Sequence, residues 1–271
     1  MNRSFHLLLS RLKFIAFFLL FHFFSWNSFA QKESNNWYFG GFAGIDFNSG
    51  AAVATTNSAM SALEGCAAIS NHITGDLLFY TDGIKVWNAN HAVMTNGTGL
   101  TGNPSSAQSA IILQDPADSN LYYIFTAGEY FNGGSGGYRY SIVDMTQSGG
   151  LGAVTATKNV LLYSPATEKL TAVKNAAGTG YWIATHEFIT NTFVLYELTA
   201  AGLSAPVTSS IGTSQAYNLI TLIPFSTSLT ILIRSSFMHI CLTYKNFSLK
   251  ISIKAYLIFS NFHRKEKVNR Q

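Results

Sequence analysis

From Asn36 to Leu198 the chain runs as short stretches of alternating apolar and polar residues separated by Gly, Asn, Asp and Pro. That pattern predicts a series of small antiparallel β-meanders. The clearest unit is GDLLFYTDGIKVWN, positions 75–88. Here Leu77, Phe79 and Thr81 face one way and Leu78, Tyr80 and Asp82 the other. A tight Asp82-Gly83 turn follows, and Ile84 to Trp87 returns as the second strand of a hairpin. Further strands are expected at 36–40, 64–69, 109–113, 121–126, 138–143, 160–163, 170–173, 181–185 and 193–198. Between them, 51–63 has no strong period, and 88–106, with Asn96-Gly97, Gly99, Gly102 and Pro104, reads as a loop. Aromatic strands begin near Leu77, Leu121 and Tyr181, 44 and 60 residues apart. Repeats of that length, each holding about four strands, point to propeller blades.

Composition divides the 271 residues into three regimes. All 22 Gly fall between Gly40 and Gly212, which leaves a Gly-free leader and a Gly-free tail. In the leader, residues 1–30, Arg3, Arg11 and Lys13 precede an apolar run from Phe14 to Trp26, and Ser28-Phe29-Ala30 supplies small residues at the first and third places. This is the pattern of a secretory signal peptide cut between Ala30 and Gln31. The apolar run is shorter than the roughly 20 residues of a membrane-spanning helix. The body, 31–215, keeps 6 Lys and Arg against 12 Asp and Glu, so it is near −6 although the whole chain is +4. It has no basic patch for phosphate neutralisation, and no nucleic-acid partner is expected. The tail, 216–271, is rich in Ile, Leu, Phe, Ser, Lys and Asn and lacks the turn chemistry of the body. It reads as an aberrant segment, of the kind a shifted reading frame yields, and contact with the membrane is expected only transiently, through the leader.

Candidate chemistry is sparse. Cys66 lies among small apolar residues and reads as a buried thiol, and no CxxC or HxxxH spacing suggests a metal. Asp46, Asn48 and Ser49 suit a turn better than a Ca²⁺ loop, since the remaining ligands and a closing Glu are missing. No cofactor is expected. His186 and Glu187 resemble an acid/base pair, but neighbours on a strand point to opposite faces. Asp82, Glu129 and His186 are the groups that would have to meet for a catalytic reading. For ligand contact the candidates are Trp87, Tyr138, Tyr140 and Trp182, since aromatic faces give large contact area at small entropy cost. Packing between strands is the commoner use of such residues.

The segments NNWYFGGFAGIDFNSG, ALEGCAAIS, GDLLFYTDGIKVWN, TGNPSSAQSAIIL, YYIFTAGE, YSIVDM, GGLGAVT, KNVLLYSPATEKLTAV and GYWIATHE follow one another in the body. In this order they resemble the N-terminal propeller-like region of large secreted Bacteroidetes proteins that end in a gliding-motility-associated, type B sorting domain for type IX secretion. The resemblance implies an all-β chain folded as a WD40- or YVTN-like β-propeller, exported to the cell surface or the medium, with no catalytic residue assigned. After about Gly212 the resemblance stops, which implies an incomplete propeller, a truncated fragment of a larger protein. An open ring leaves an apolar face and unpaired edges, so the chain is expected to be poorly soluble or to need a partner. The function expected is a non-catalytic module for adhesion, assembly, or protein or glycan binding. The alternative is an exported polysaccharide hydrolase or lyase of propeller fold.

Overall fold

The computed structural model describes residues 32–129 and 133–214. The leader with its Ala30–Gln31 junction, and the tail, lie outside the described residues. Within them the chain is all-β, as the alternation predicts, with a single 3-10 turn at Ser148–Gly150. No helix among the described residues is long and apolar enough to cross a membrane.

A three-stranded antiparallel sheet comes first, made of β1 (Asn36–Phe39), β2 (Ala43–Asp46) and β3 (Val53–Thr55). An antiparallel meander follows in β4 (Ala67–Ser70), β5 (Leu77–Thr81), β6 (Lys85–Asn88) and β7 (Val93–Thr98). The second meander is β8 (Ala110–Gln114), β9 (Leu121–Ala127) and β10 (Tyr138–Asp144), with β11 (Ala153–Val154) and β12 (Val160–Tyr163) both paired to β10. The third is β13 (Ala166–Lys174), β14 (Tyr181–Glu187) and β15 (Thr192–Thr199), with β16 (Gly202–Leu203) and β17 (Val207–Ser210) both on β15. The aromatic strands expected near Leu77, Leu121 and Tyr181 are thus the second strand of each meander. One parallel pairing, Ala153 with Thr95, joins the first two meanders into a path β4-β5-β6-β7-β11-β10-β9-β8. The ends of that path, β4 and β8, lie close together, so it nearly closes into a barrel-like wall.

Side-chain alternation on the second strands builds the cores. On β9, Tyr122 and Ile124 join Phe79, Val86, Met94 and Val143 between the first two meanders. Its other face sends Tyr123, Phe125 and Ala127 to Tyr138, Ile183, Val194 and Tyr196 of the second and third. A strand covered on both sides has no polar face, which is why LYYIFTA reads as a continuous apolar run. A smaller core of Tyr38, Met60, Tyr80 and Trp87 ties the first sheet to the first meander.

Three details differ from the sequence reading. The alternation fails at the start of β5: Ser70 pairs with Leu77 but Ile69 with Phe79, so Leu78 is an extra residue. That bulge turns Leu78 toward the Phe79 core and leaves Leu77 beside Tyr80. The β5–β6 hairpin is real, but Thr81 pairs with Val86, so its loop is Asp82 to Lys85 rather than a two-residue turn. Asp82 Oδ1 accepts from the amides of Ile84 and Lys85, and Gly83 supplies the positive φ of 85°. Finally, β3 and β7 occupy stretches that read as irregular. In β7, Asn96 holds φ 54° inside the strand, so Asn-Gly marks a distortion and not a turn.

Candidate ligand cavity

The first strand of each meander, β4, β8 and β13, pairs on one side only: β4 with β5, β8 with β9 and β13 with β14. All three border one cavity of about 350 Å³. Ile111, Ile112, Leu113 and Leu170 give it an aliphatic wall, and the small side chains of Ala67, Ala68 and Ala172 leave the space open. Apart from Thr171 within β13, its polar groups sit at or beyond the strand ends. Ser70 and Gln114 end β4 and β8, Lys174 ends β13, and His72 follows β4. Tyr122 and Tyr181 stand near the starts of β9 and β14. Glu33 and Ser34 arrive from the segment before β1, which is held there by hydrogen bonds from the Ser70 amide to the Glu33 carbonyl (2.8 Å) and from the Lys32 amide to the His72 carbonyl (3.3 Å).

The far end of the first strands is cross-linked. Gln108 Oε1 accepts from the Leu170 amide at 3.2 Å, and the buried Glu168 accepts from the Ala107 amide at 2.9 Å. These bonds join β13 to the segment leading into β8 and fix the wall's geometry. At the polar end, burial pushes the Tyr122 phenol above its ordinary range, and the Glu33 carboxylate adds to that rise against the hydrogen bond from Gln114 Nε2 (3.1 Å). Burial also raises Tyr181, again with Glu33 adding to it. Glu33 therefore lies within electrostatic reach of both phenols. Both remain neutral hydrogen-bonding groups at physiological pH. What the arrangement offers is recognition: an aliphatic pocket with a carboxylate, an ammonium, an imidazole, two amides and two phenols around it.

No family model, curated protein or solved structure matches this chain.

The groups singled out from sequence lie elsewhere. Asp82 serves its own hairpin loop through the Ile84 and Lys85 amides. Glu129 lies two residues past the end of β9, half-buried. His186 is buried near the end of β14, its ring edge against Phe193 with centroids 4.7 Å apart and Nδ1 2.8 Å from the Glu187 carbonyl. Its neighbour Glu187 accepts a 2.7 Å hydrogen bond from the Tyr163 hydroxyl. That bond holds Glu187 below the usual carboxylate range, while burial and the same bond push Tyr163 up to about 12. None of Asp82, Glu129 and His186 borders the cavity.

The four aromatic candidates are scattered too. Trp87 is buried and stacks on Tyr80 with centroids 5.5 Å apart. Tyr138 is fully buried, stacked on Phe125 at 5.8 Å, and its hydroxyl has no hydrogen-bond partner among the described residues. Tyr140 is half-buried, 5.5 Å from the Tyr123 ring. Only Trp182, 37 % exposed on the outer face of the third sheet, presents its indole to solvent. At the suspected Ca²⁺ turn, Asp46 Oδ1 accepts from the Asn48 amide (2.7 Å) and the Asn48 side chain (2.8 Å), an Asx turn. Among the described residues no three His, Cys, Asp or Glu come together as a metal site. The cavity residues Glu33, His72, Gln114 and Lys174 escaped the sequence reading because each is an ordinary polar residue in its local context.

Proposed function

We propose that this chain is an exported, non-catalytic binding module, built as an incomplete β-propeller, that acts at the cell surface in adhesion or assembly by holding a protein or glycan end-group in the cavity between β4, β8 and β13. One observation carries the reading: three one-sided strands from three successive meanders border a single cavity of ligand size. Pockets that hold small molecules run from roughly 300 to 1,000 Å³ and combine apolar walls with a few polar groups. First strands gathered around a common axis, with further strands leading outward, are the arrangement of propeller blades. The outer face of the third sheet leaves Val173, Trp182 and Phe193 exposed, which suits a ring open at that end. Export rests on the leader of residues 1–30, and the surface role on the resemblance of the body segments. The hydrolase or lyase reading gains no support from the cavity, because Asp82, Glu129 and His186 are not part of it.

The test is a thermal-shift screen of the full chain against monosaccharides, disaccharides, α-amino acids and short peptides. A compound that raises Tm in the wild type should lose its effect in Thr171→Trp, which fills the cavity from an exposed position on β13. No shift from any compound, or an equal shift in that variant, would overturn the reading.

A further inference from the structure

The third sheet buries one face, where Ile183, Val194, Tyr196 and Leu198 join the core shared with the second meander. The register sets out the opposite face. Val173 lies beside Trp182 of β14, Ala184 beside Leu195 of β15, and Leu195 beside Val207 of β17. Phe193, two residues before Leu195, is on the same side. Val173, Trp182, Phe193 and Val207 are 37–55 % exposed, an apolar surface of the kind that marks an interaction site. The described residues end beside it. The Ile211 amide bonds the Asn191 carbonyl (2.9 Å) and Asn191 Nδ2 bonds the Gly212 carbonyl (3.0 Å), which ties the chain to the start of β15 two residues before Ser214. We infer that residues 217–233, YNLITLIPFSTSLTILI, dock within the same chain on this outer face and cover Val173, Trp182, Phe193 and Val207.

Reach, composition and charge agree on this occupant. The strands β13, β14, β15 and β17 span roughly 15 Å across the sheet at about 4.8 Å per step. The 17 residues of the segment reach about 55 Å when extended, enough to cross the face in any direction. The segment carries no charged residue, and its Ile, Leu and Phe side chains gain by leaving water against Trp182 and Phe193. Beyond it, the tail has 8 Lys and Arg against 1 Glu, so 8 − 1 gives +7, opposite to the −6 of the body. That attraction holds the tail near the body and favours its own chain, where the linker keeps the effective concentration high. A second copy seated face to face would instead bring two bodies of −6 together. The inference is independent of what the cavity binds.

Photo-cross-linking of the full chain tests the assignment. The photoreactive residue p-benzoylphenylalanine replaces Phe193, an aromatic for an exposed aromatic, and in a separate chain it replaces Trp182 as a second probe of the same face. Ile73, 70 % exposed in the loop between β4 and β5, takes the probe as a control. Equal parts of ¹⁴N and ¹⁵N chains are mixed before irradiation, so that mass spectrometry separates links within a chain from links between chains. Positions 193 and 182 should give adducts within the chain to residues 217–233, and position 73 should give none. Leu222→Asp with Ile231→Asp should lose those adducts, because a carboxylate against Trp182 and Phe193 finds no partner there. Circular dichroism of each chain shows that the sheets have formed. Adducts that join two chains would make the face an interface between copies and overturn the inference. So would the absence of adducts to 217–233 from both probes, or adducts that survive the double substitution.

Discussion

His91 shows how a single residue can tie two sheets together. Its Nε2 lies 2.9 Å from Asn57 Nδ2, which can only donate, so Nε2 is the acceptor and Nδ1 carries the proton. That Nδ1–H donates to the Tyr80 hydroxyl at 3.2 Å, which also accepts from the Ala59 amide at 2.9 Å. The Tyr38 ring, stacked on Tyr80 at 4.6 Å, meets the imidazole edge-on at 5.4 Å. The segment between β3 and β4 is thereby held against the first meander by a neutral imidazole. Burial holds the His91 pKa below its ordinary value. The unfolded chain therefore takes up the proton at a higher pH than the folded one, and stability rises with pH through that interval. The contribution is complete above the ordinary histidine value of about 6.5 and is lost as pH falls through the depressed folded value. Urea denaturation at pH 7.5 and at pH 5 should show a drop in the wild type. His91→Gln, which has no charge to gain, should be less stable at pH 7.5 and lose less on acidification. An equal acid loss in both proteins would place the effect elsewhere.

At the scale of the element, close backbone approach sets limits that composition does not reveal. Gly128, just after β9, faces Gly136, just before β10: a Cβ on Gly128 would stand 2.7 Å from the Gly136 Cα, and the amide of Gly128 bonds the Gly137 carbonyl at 3.1 Å. Gly128→Ala should therefore cost about 1–3 kcal/mol, the range of overpacking in a closed site. Gly41→Ala, with nothing within 4 Å of the added carbon, should change stability by no more than about 0.5 kcal/mol. Chemical denaturation of the two variants checks the contrast, and equal effects would refute the close-packing account. The same scale shows what was legible in the sequence. The pairs β5–β6, β9–β10 and β14–β15 announce themselves because their residues are packed on one or both faces. By contrast, β7 buries only Met94 and Gly97, and Asn96 spends its side-chain amide on the Val154 and Thr155 carbonyls across the sheet. A strand so anchored looks like a loop until its partner is known. The cavity was hidden for a related reason. Its wall comes from SAIIL and from the 170–173 strand, both recognisable as strands, but its charges come from residues 33 and 174, brought together only by the order of the meanders.

For the whole molecule, the tyrosines make a common prediction. Tyr38 and Tyr80 belong to the core behind the first sheet, Tyr122 to that between the first two meanders, and Tyr123, Tyr138 and Tyr196 to the next. Burial raises the pKa of every one of them, most strongly for Tyr138. Tyr163, whose hydroxyl is held by Glu187, is raised to about 12. A phenol whose folded pKa exceeds its unfolded value near 10 keeps its proton longer in the folded state. Its stabilising contribution is intact below about pH 10 and is lost as pH climbs toward the folded value. Because the groups are spread through all three cores, ionisation should undo the stack as a unit and not fray one sheet. Denaturant midpoints should hold between pH 8 and 9.5 and fall steeply from pH 10 to 12. Phenolate absorbance should rise together with the loss of circular dichroism. Tyrosines that ionise at ordinary pH while the fold persists would show that the phenols are open to solvent, against the packing described. Tyr163→Phe offers a finer check. It removes one raised phenol and returns Glu187 toward its ordinary pKa, so the alkaline fall should become shallower and some stability above about pH 4.3 should be lost with the hydrogen bond.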